Sequence, residues 1–308
     1  MALKLNAPHE YIKIDGHELP HFKEFSGRNV DTAPQVTSSG RVLMSLAQIM
    51  QRRLNVRDIR GTDAEVISAW MDNYFDTSDL NARRGDEFKI VLSTYADGSV
   101  TSLGKKYLAL INPSEELVDG AVNLEVNDRY DGLQGEGVFV VQGKKNLASV
   151  VDEPQTQKQA KDSLFWRIAL KHPDEVPKAF AIPGLHEEAI SYIFAEYKNR
   201  FARNTPVEDI KAMGVFPGSV PKGSAELRAW YVDGLEPRSC ALGGLSLGDT
   251  GRFLGIAPEA LSAPGKGAST IKAYTMADLQ AFDGAVKGLE ATVRPELLAP
   301  FAQLRKKL

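Results

Sequence analysis

Cys240 is the chain's single cysteine, and histidine occurs five times in its 308 residues. An internal disulfide is therefore excluded, a reducing compartment fits best, and soft ligands for a zinc or iron centre are scarce. No metal or other cofactor is expected. No stretch approaches the roughly 20 consecutive apolar residues that a bilayer crossing requires. The opening MALKLNAPHEYIKI also lacks a basic segment followed by an apolar core. A protein that neither spans a membrane nor is exported is expected. Positive charge is not in excess either: Lys and Arg number 37 against 40 Asp and Glu, a net charge of −3, so the chain as a whole is not drawn to phosphate backbones.

What is present is the ordinary balance of a folded protein, 43% hydrophobic and 25% charged. The length fits two domains, or one domain carrying an arm. The patterns predict an α+β fold: a central antiparallel β-sheet or small barrel flanked by helices, with an extended N-terminal arm and a mainly helical C-terminal part. Residues 1–39 read as the arm, 40–154 as the sheet-bearing domain, and 155–308 as the helical part, with a long irregular segment at 215–267.

In the arm, EYIKI and HELPHF flank Asp15-Gly16, a good hairpin turn. Residues 23–39 are polar and rich in turn formers, too poor in apolar surface to order by themselves. A helix capped by Ser38 or Ser39 is expected through Leu43, Leu46, Ala47, Met50 and Leu54. Thr62 with Glu65 caps a second, carrying Val66, Trp70 and Tyr74. Strands follow: FKIVLSTY and SVTSL about Ala96-Asp97-Gly98, then KKYLALI, VNLEV, GVFVV and LASVV. Helical period returns in Leu164, Phe165 and Ile168, and more strongly in Ile190, Ile193, Phe194, Tyr197 and Phe201. Thr205-Pro206 with Glu208 opens a short helix, Ser224 another, and two helices opened by Thr275 and Pro295 close the chain.

The chemical motifs fail on their context. Gly244 to Gly248 has the GxSxG spacing of a nucleophile elbow, but no histidine follows Ser246 to act as base. Ser219-Val220-Pro221-Lys222 matches SxxK, yet Pro221 favours a turn and the later KTG is missing. The two G-x5-G-K-K stretches, Gly98 to Lys106 and Gly137 to Lys145, have one residue too many for a phosphate loop and lysine where a hydroxyl must meet magnesium; hairpins bearing exposed lysines account for them better. His17 and His21 are separated by Pro20, which removes the helix that would aim both at one metal. His186-Glu187-Glu188 lacks the second histidine of a zinc protease. Asp128 and Asp131 could hold a hard cation, against a polar turn with a local ion pair as the plainer account. Arg84-Gly85-Asp86 reads as a helix-to-strand turn. No catalytic residue is assigned.

Basic residues do cluster along the chain: Arg52, Arg53, Arg57, Arg60, Arg83, Arg84, Lys105, Lys106, Lys144 and Lys145. On a sheet interleaved with Tyr95, Tyr107 and Phe139 they would suit single-stranded nucleic acid. An arm, a non-basic surface, no usable catalytic set and a long irregular segment together fit a self-assembling structural protein, such as a viral or phage coat subunit that forms homo-oligomers through its arm. It would be found in the cytoplasm or in a virion. Nucleic-acid binding through the sheet, and a hydrolase centred on Asp128, Asp131 or Ser246, are the alternatives.

Overall fold

The chain enters its fold through a hairpin. In the computed structural model, which describes residues 11–14, 17–58, 64–85, 87–142, 153–218, 224–236 and 240–262, β1 (Tyr11–Ile14) pairs antiparallel with β2 (His17–Pro20). The Asp15-Gly16 turn expected between them lies outside the described residues. β3 (Phe22–Arg28) runs into α1 (Asn29–Ser38), and β4 (Val42–Leu43) precedes α2 (Leu46–Asp58). α3 (Ala64–Met71) leads to β5 (Phe75–Arg84), and Gly85, at φ 59°, turns the chain toward β6 (Glu87–Val91). Arg84-Gly85-Asp86 is thus part of a strand-to-strand connection. Next come α4 (Ser102–Leu108), β7 (Leu117–Val118), β8 (Ala121–Asn123) and β9 (Val138–Gln142). β10 (Gln155–Thr156), α5 (Gln157–Asp162), α6 (Leu164–Ala169) and α7 (Leu185–Phe201) follow. β11 (Lys211–Ala212), β12 (Val215–Phe216), β13 (Ala225–Val232), β14 (Ala241–Leu242), β15 (Thr250–Ile256) and α8 (Pro258–Ser262) complete the described chain.

β5 is the spine of the large sheet. β13 runs antiparallel along one edge, from Ala225 opposite Arg84 to Val232 opposite Phe75. On the other edge β6 pairs with the second half of β5, and β15 meets the first half at Asp76. β6 passes the sheet on to β9, β15 to β3 and β4, and β13 to β8 and β14. Most pairs are antiparallel, but β12–β14 and β15–β5 are parallel, so the sheet is mixed. Side-chain alternation gives it two apolar faces. Phe88, Ile90 and Trp230 meet α2, α3, α6 and α7 through Met50, Trp70, Phe165 and Phe194. Leu80, Ala82, Val91 and Leu227 meet α1 and α4 through Val30, Ala33, Val36 and Tyr107. This is an α+β fold with helices on both faces.

Residues 23–39 differ from expectation. They are a core strand and helix: β3 pairs with β15 from Phe22 opposite Ile256 to Arg28 opposite Thr250. Val30, Ala33 and Val36 are buried. Composition misleads because an apolar residue every third position is enough for one narrow stripe. The amides of Asn29 and Val30 donate to Asp249 O and Leu247 O, so the chain itself holds this segment. Ser38 and Ser39 end α1 instead of capping the next helix. α2 begins at Leu46, whose amide donates to Asp79 Oδ2 at 2.9 Å.

SVTSL and KKYLALI, read as strands, hold α4. Thr101 Oγ1 accepts from Gly104 N at 2.8 Å, and α4 passes so near Ser93 that a Cβ on Gly104 would stand 2.5 Å from its carbonyl oxygen. Residues 215–267, read as irregular, contain β12 to β15, and the helix expected after Ser224 is β13. AELRAWYV alternates apolar and polar residues from Ala225 to Ala229, but these are also good helix formers behind Ser224, a residue suited to a cap, and the strand is covered on both faces, with Glu226 and Arg228 buried. The sheet thereby crosses the boundary drawn at residue 154, and the part read as mainly helical supplies β13 and β15 to it. By contrast α6 and α7 lie where their apolar stripes put them, and Thr156 with Gln159 forms a capping box at the start of α5. Thr205-Pro206 opens only a single 3-10 turn, Val207–Asp209, without a side-chain cap. LASVV and the two C-terminal helices lie outside the described residues.

The spine is polar, and each polar group has a task. Asp76 accepts from Asn29 Nδ2 at 2.9 Å and from Arg252 N at 2.7 Å. Thr77 Oγ1 donates to Trp230 O at 2.9 Å. Asp79 accepts from Leu46 N and, at 3.0 Å, from Ser93 N. Asn81 Nδ2 donates to Gly243 O at 2.8 Å and Pro217 O at 3.0 Å. Arg83 donates to Pro217 O and to Glu226, which also accepts from Arg228 Nε at 2.9 Å. Arg228 in turn donates to Asp119 O at 2.7 Å and Leu245 O at 3.0 Å. Lys171, at φ 59° and fully buried, donates from Nζ to Thr94 O at 2.8 Å and Tyr95 O at 2.9 Å; burial lowers its pKa to about 8, with Asp79 opposing. Buried polar groups need partners, and here the partners tie the loops to the sheet.

Candidate binding groove

α1 and α4 stand side by side on one face of the sheet without filling the space between them. α4 is seven residues long; it buries Gly104 and Tyr107, leaves Leu103 and Leu108 partly covered and exposes Ser102, Lys105 and Lys106. Ala33 on α1 and Ala109 just after α4 are too short to meet across the gap. The result is an open groove of about 610 Å³. Leu43, Val100, Leu108 and Ile111 give it an apolar floor and wall, and Thr37 and Asn112 add neutral polar groups. Arg41 and Lys105 also line it, and among the described residues no carboxylate does. Lys105 is exposed, while Arg41 is partly covered and donates from Nη1 to His21 O at 3.3 Å, which fixes the direction of its side chain. An apolar concavity of a few hundred Å³ with a few placed polar groups is the usual form of a small-molecule site.

The basic residues picked out by sequence do not converge on the sheet. Arg53 is 2% exposed and donates to Trp70 O and Asn73 O, both at 3.0 Å. Arg83 is buried in the pairing with Glu226. Arg52 lies over the Phe22 ring, 4.8 Å from its centroid. Arg84 pairs with Asp131 at 2.9 Å, which holds that carboxyl below its usual range. Lys105 and Lys106 are exposed on α4, a helix, not on a hairpin. Arg60, Lys144, Lys145 and the side chain of Arg57 lie outside the described residues. The aromatics are engaged as well: Tyr107 is buried and donates to Arg129 O at 2.7 Å, and Tyr95 packs on Phe180 with centroids 4.9 Å apart. Among the described residues, burial of Arg53 and Arg83 takes those two guanidinium groups away from any surface that a single strand could reach.

Ser246 sits in a loop, where its Oγ accepts from Gly248 N at 3.1 Å, as a glycine-rich turn requires. Asp128 and Asp131 belong to the turn after β8, and Asp131 is occupied by Arg84. Arg41 and the groove escaped sequence reading, since the lining comes from positions as distant as 33 and 112. The signal that could have found them is only the exposure of Lys105.

What these features define is an α+β protein with an apolar, cation-lined groove. No family model matches the chain, and no curated protein matches it. A solved structure described as "Accommodation of massive sequence variation in Nanoarchaeota by the C-type lectin fold" is similar over 76% of this chain and 97% of its own, at 16% identity and a TM-score of 0.45. That degree of likeness assigns neither fold family nor function. Among the described residues no helix is long and apolar enough to cross a membrane.

Proposed function

We propose that this protein binds a small anionic amphiphile, an acyl or aryl carboxylate in chemical class, in the groove between α1 and α4. The observation that carries this reading is the lining: apolar over most of its surface, with cations as the only charged groups among the described residues. The volume suits a ligand of drug-like size. The apolar body would occupy the space beside Leu43, Leu108 and Ile111, and the anionic head would face Arg41 and Lys105.

Titration with decanoate, followed by displacement of the anionic naphthalene dye anilinonaphthalene sulfonate, tests it. Saturable displacement is expected. Lys105→Glu should weaken decanoate roughly fivefold, the size of an exposed ion pair turned into a repulsion, while decanol is unaffected. Val100→Trp should fill the groove and weaken both. Failure of decanoate to displace the dye, or equal affinity in all three proteins, would dismiss the reading.

Self-association is a second reading, favoured by the hairpin: β1 and β2 form a two-stranded sheet of their own, apart from the large one. Such a hairpin is marginal in water unless something packs on it. Light scattering on the full chain and on a chain starting at His21 is expected to show an oligomer only for the former. Equal masses would end this reading, including its extension to a coat subunit.

A further inference from the structure

We propose that His172, His186 and Glu187 bind one late first-row divalent metal ion, zinc by chemical preference. The sequence shows no such site, because His172 and His186 lie too far apart for one helix to present them together. Folding joins them: His172 sits in the turn after α6, while His186 and Glu187 occupy the first turn of α7. Their ligand atoms all lie within 4.8 Å of one another. His172 Nε2 stands 3.0 Å from Glu187 Oε1, and His186 Nδ1 stands 3.4 Å from the same oxygen. Ligands held about 2.1 Å from a common ion in octahedral or tetrahedral array are about 3.0 to 3.4 Å apart, so the donors need little rearrangement.

One further observation points the same way. The charge is right: Asp174 and Glu187 stand beside the imidazoles, and Arg167, which reaches Glu175 at 2.8 Å and Asp174 at 3.6 Å, offsets only part of it. Two imidazoles with one carboxylate select zinc and its neighbours over magnesium or calcium, which prefer oxygen. Three protein ligands leave a position for water, and the bound ion would tie the turn after α6 to α7 across residues 173–185.

The test is a titration of the untagged full chain with zinc chloride in competition with a chromophoric chelator, alongside cobalt(II) absorption. One equivalent is expected to bind, with a visible cobalt band. His172→Ala and Glu187→Gln, both at partly or fully exposed side chains, should weaken zinc by more than about tenfold while keeping the wild-type circular dichroism and, in chelator, the wild-type melting temperature. Failure to compete with the chelator would overturn the proposal. So would zinc affinity unchanged in both variants, or lost instead on replacing His21.

Discussion

Glu226→Ala is expected to lower the free energy of unfolding by about 3–5 kcal/mol, the cost of removing one member of a buried ion pair and leaving its partner charged. Glu226, Arg83 and Arg228 are each under 10% exposed. With the carboxylate gone, two guanidinium groups face one another across β5 and β13 with only carbonyl oxygens for company. The effect should spread along identifiable bonds. Arg228 holds Asp119 O and Leu245 O, and the loop that follows Leu245 supplies Leu247 O and Asp249 O to the first amides of α1. Urea unfolding gives the energy, and hydrogen exchange should show Asn29 and Val30 losing protection before the amides of β6. A loss below about 1 kcal/mol would mean that the triad is solvated and not a structural joint.

Asp79→Ala is expected to cost a similar amount, about 3–5 kcal/mol, for a different reason. Asp79 is 1% exposed and accepts the amides of Leu46 and Ser93. Each buried donor left without an acceptor costs about 1–3 kcal/mol, and α2 loses its N-terminal anchor as well. The pH dependence supplies a second signature. Lys171 titrates at about 8 in the folded protein against 10.5 ordinarily. Between those values the unfolded chain holds a proton that the folded chain has released, so stability rises with pH across the window. Asp79 opposes that lowering. In its absence the lysine releases its proton at lower pH, and the rise should begin earlier. Urea midpoints measured from pH 7 to pH 10 on both proteins would show it, and parallel profiles would disprove the coupling.

Local period made parts of this fold legible. Ile190, Ile193 and Phe194 announce α7, and Asp97-Gly98 announces the turn that brings Ser99 back to Tyr95. β5 was invisible for the opposite reason. FDTSDLNARR has no β-branched residue beyond Thr77 and reads as a loop with capping residues. Its place at the centre is set by bonds to Asn29, Leu46, Ser93, Pro217, Gly243 and Arg252, none of which is near it in sequence. β13 is hidden because Ala225, Glu226, Leu227, Arg228 and Ala229 are good helix formers behind a capping Ser224, and α1 because three apolar residues suffice where a sheet already waits for them. Exposed charge identified Lys105 but attached it to the wrong element. Arg53 and Arg83 show that a cation counted in the sequence need not be a surface cation: both serve the interior.

The pairing of Phe22 with Ile256, at opposite ends of the large sheet's sequence, has a bearing on biosynthesis. A ribosome adding about 5–20 residues per second needs roughly twelve to forty-seven seconds to travel from one strand to the other. During that interval the nascent FKEFSGR segment has an open hydrogen-bonding edge and an apolar stripe behind it. A chaperone holding that stretch, or rapid elongation through the later strands, would decide how much of the newly made chain reaches its native state.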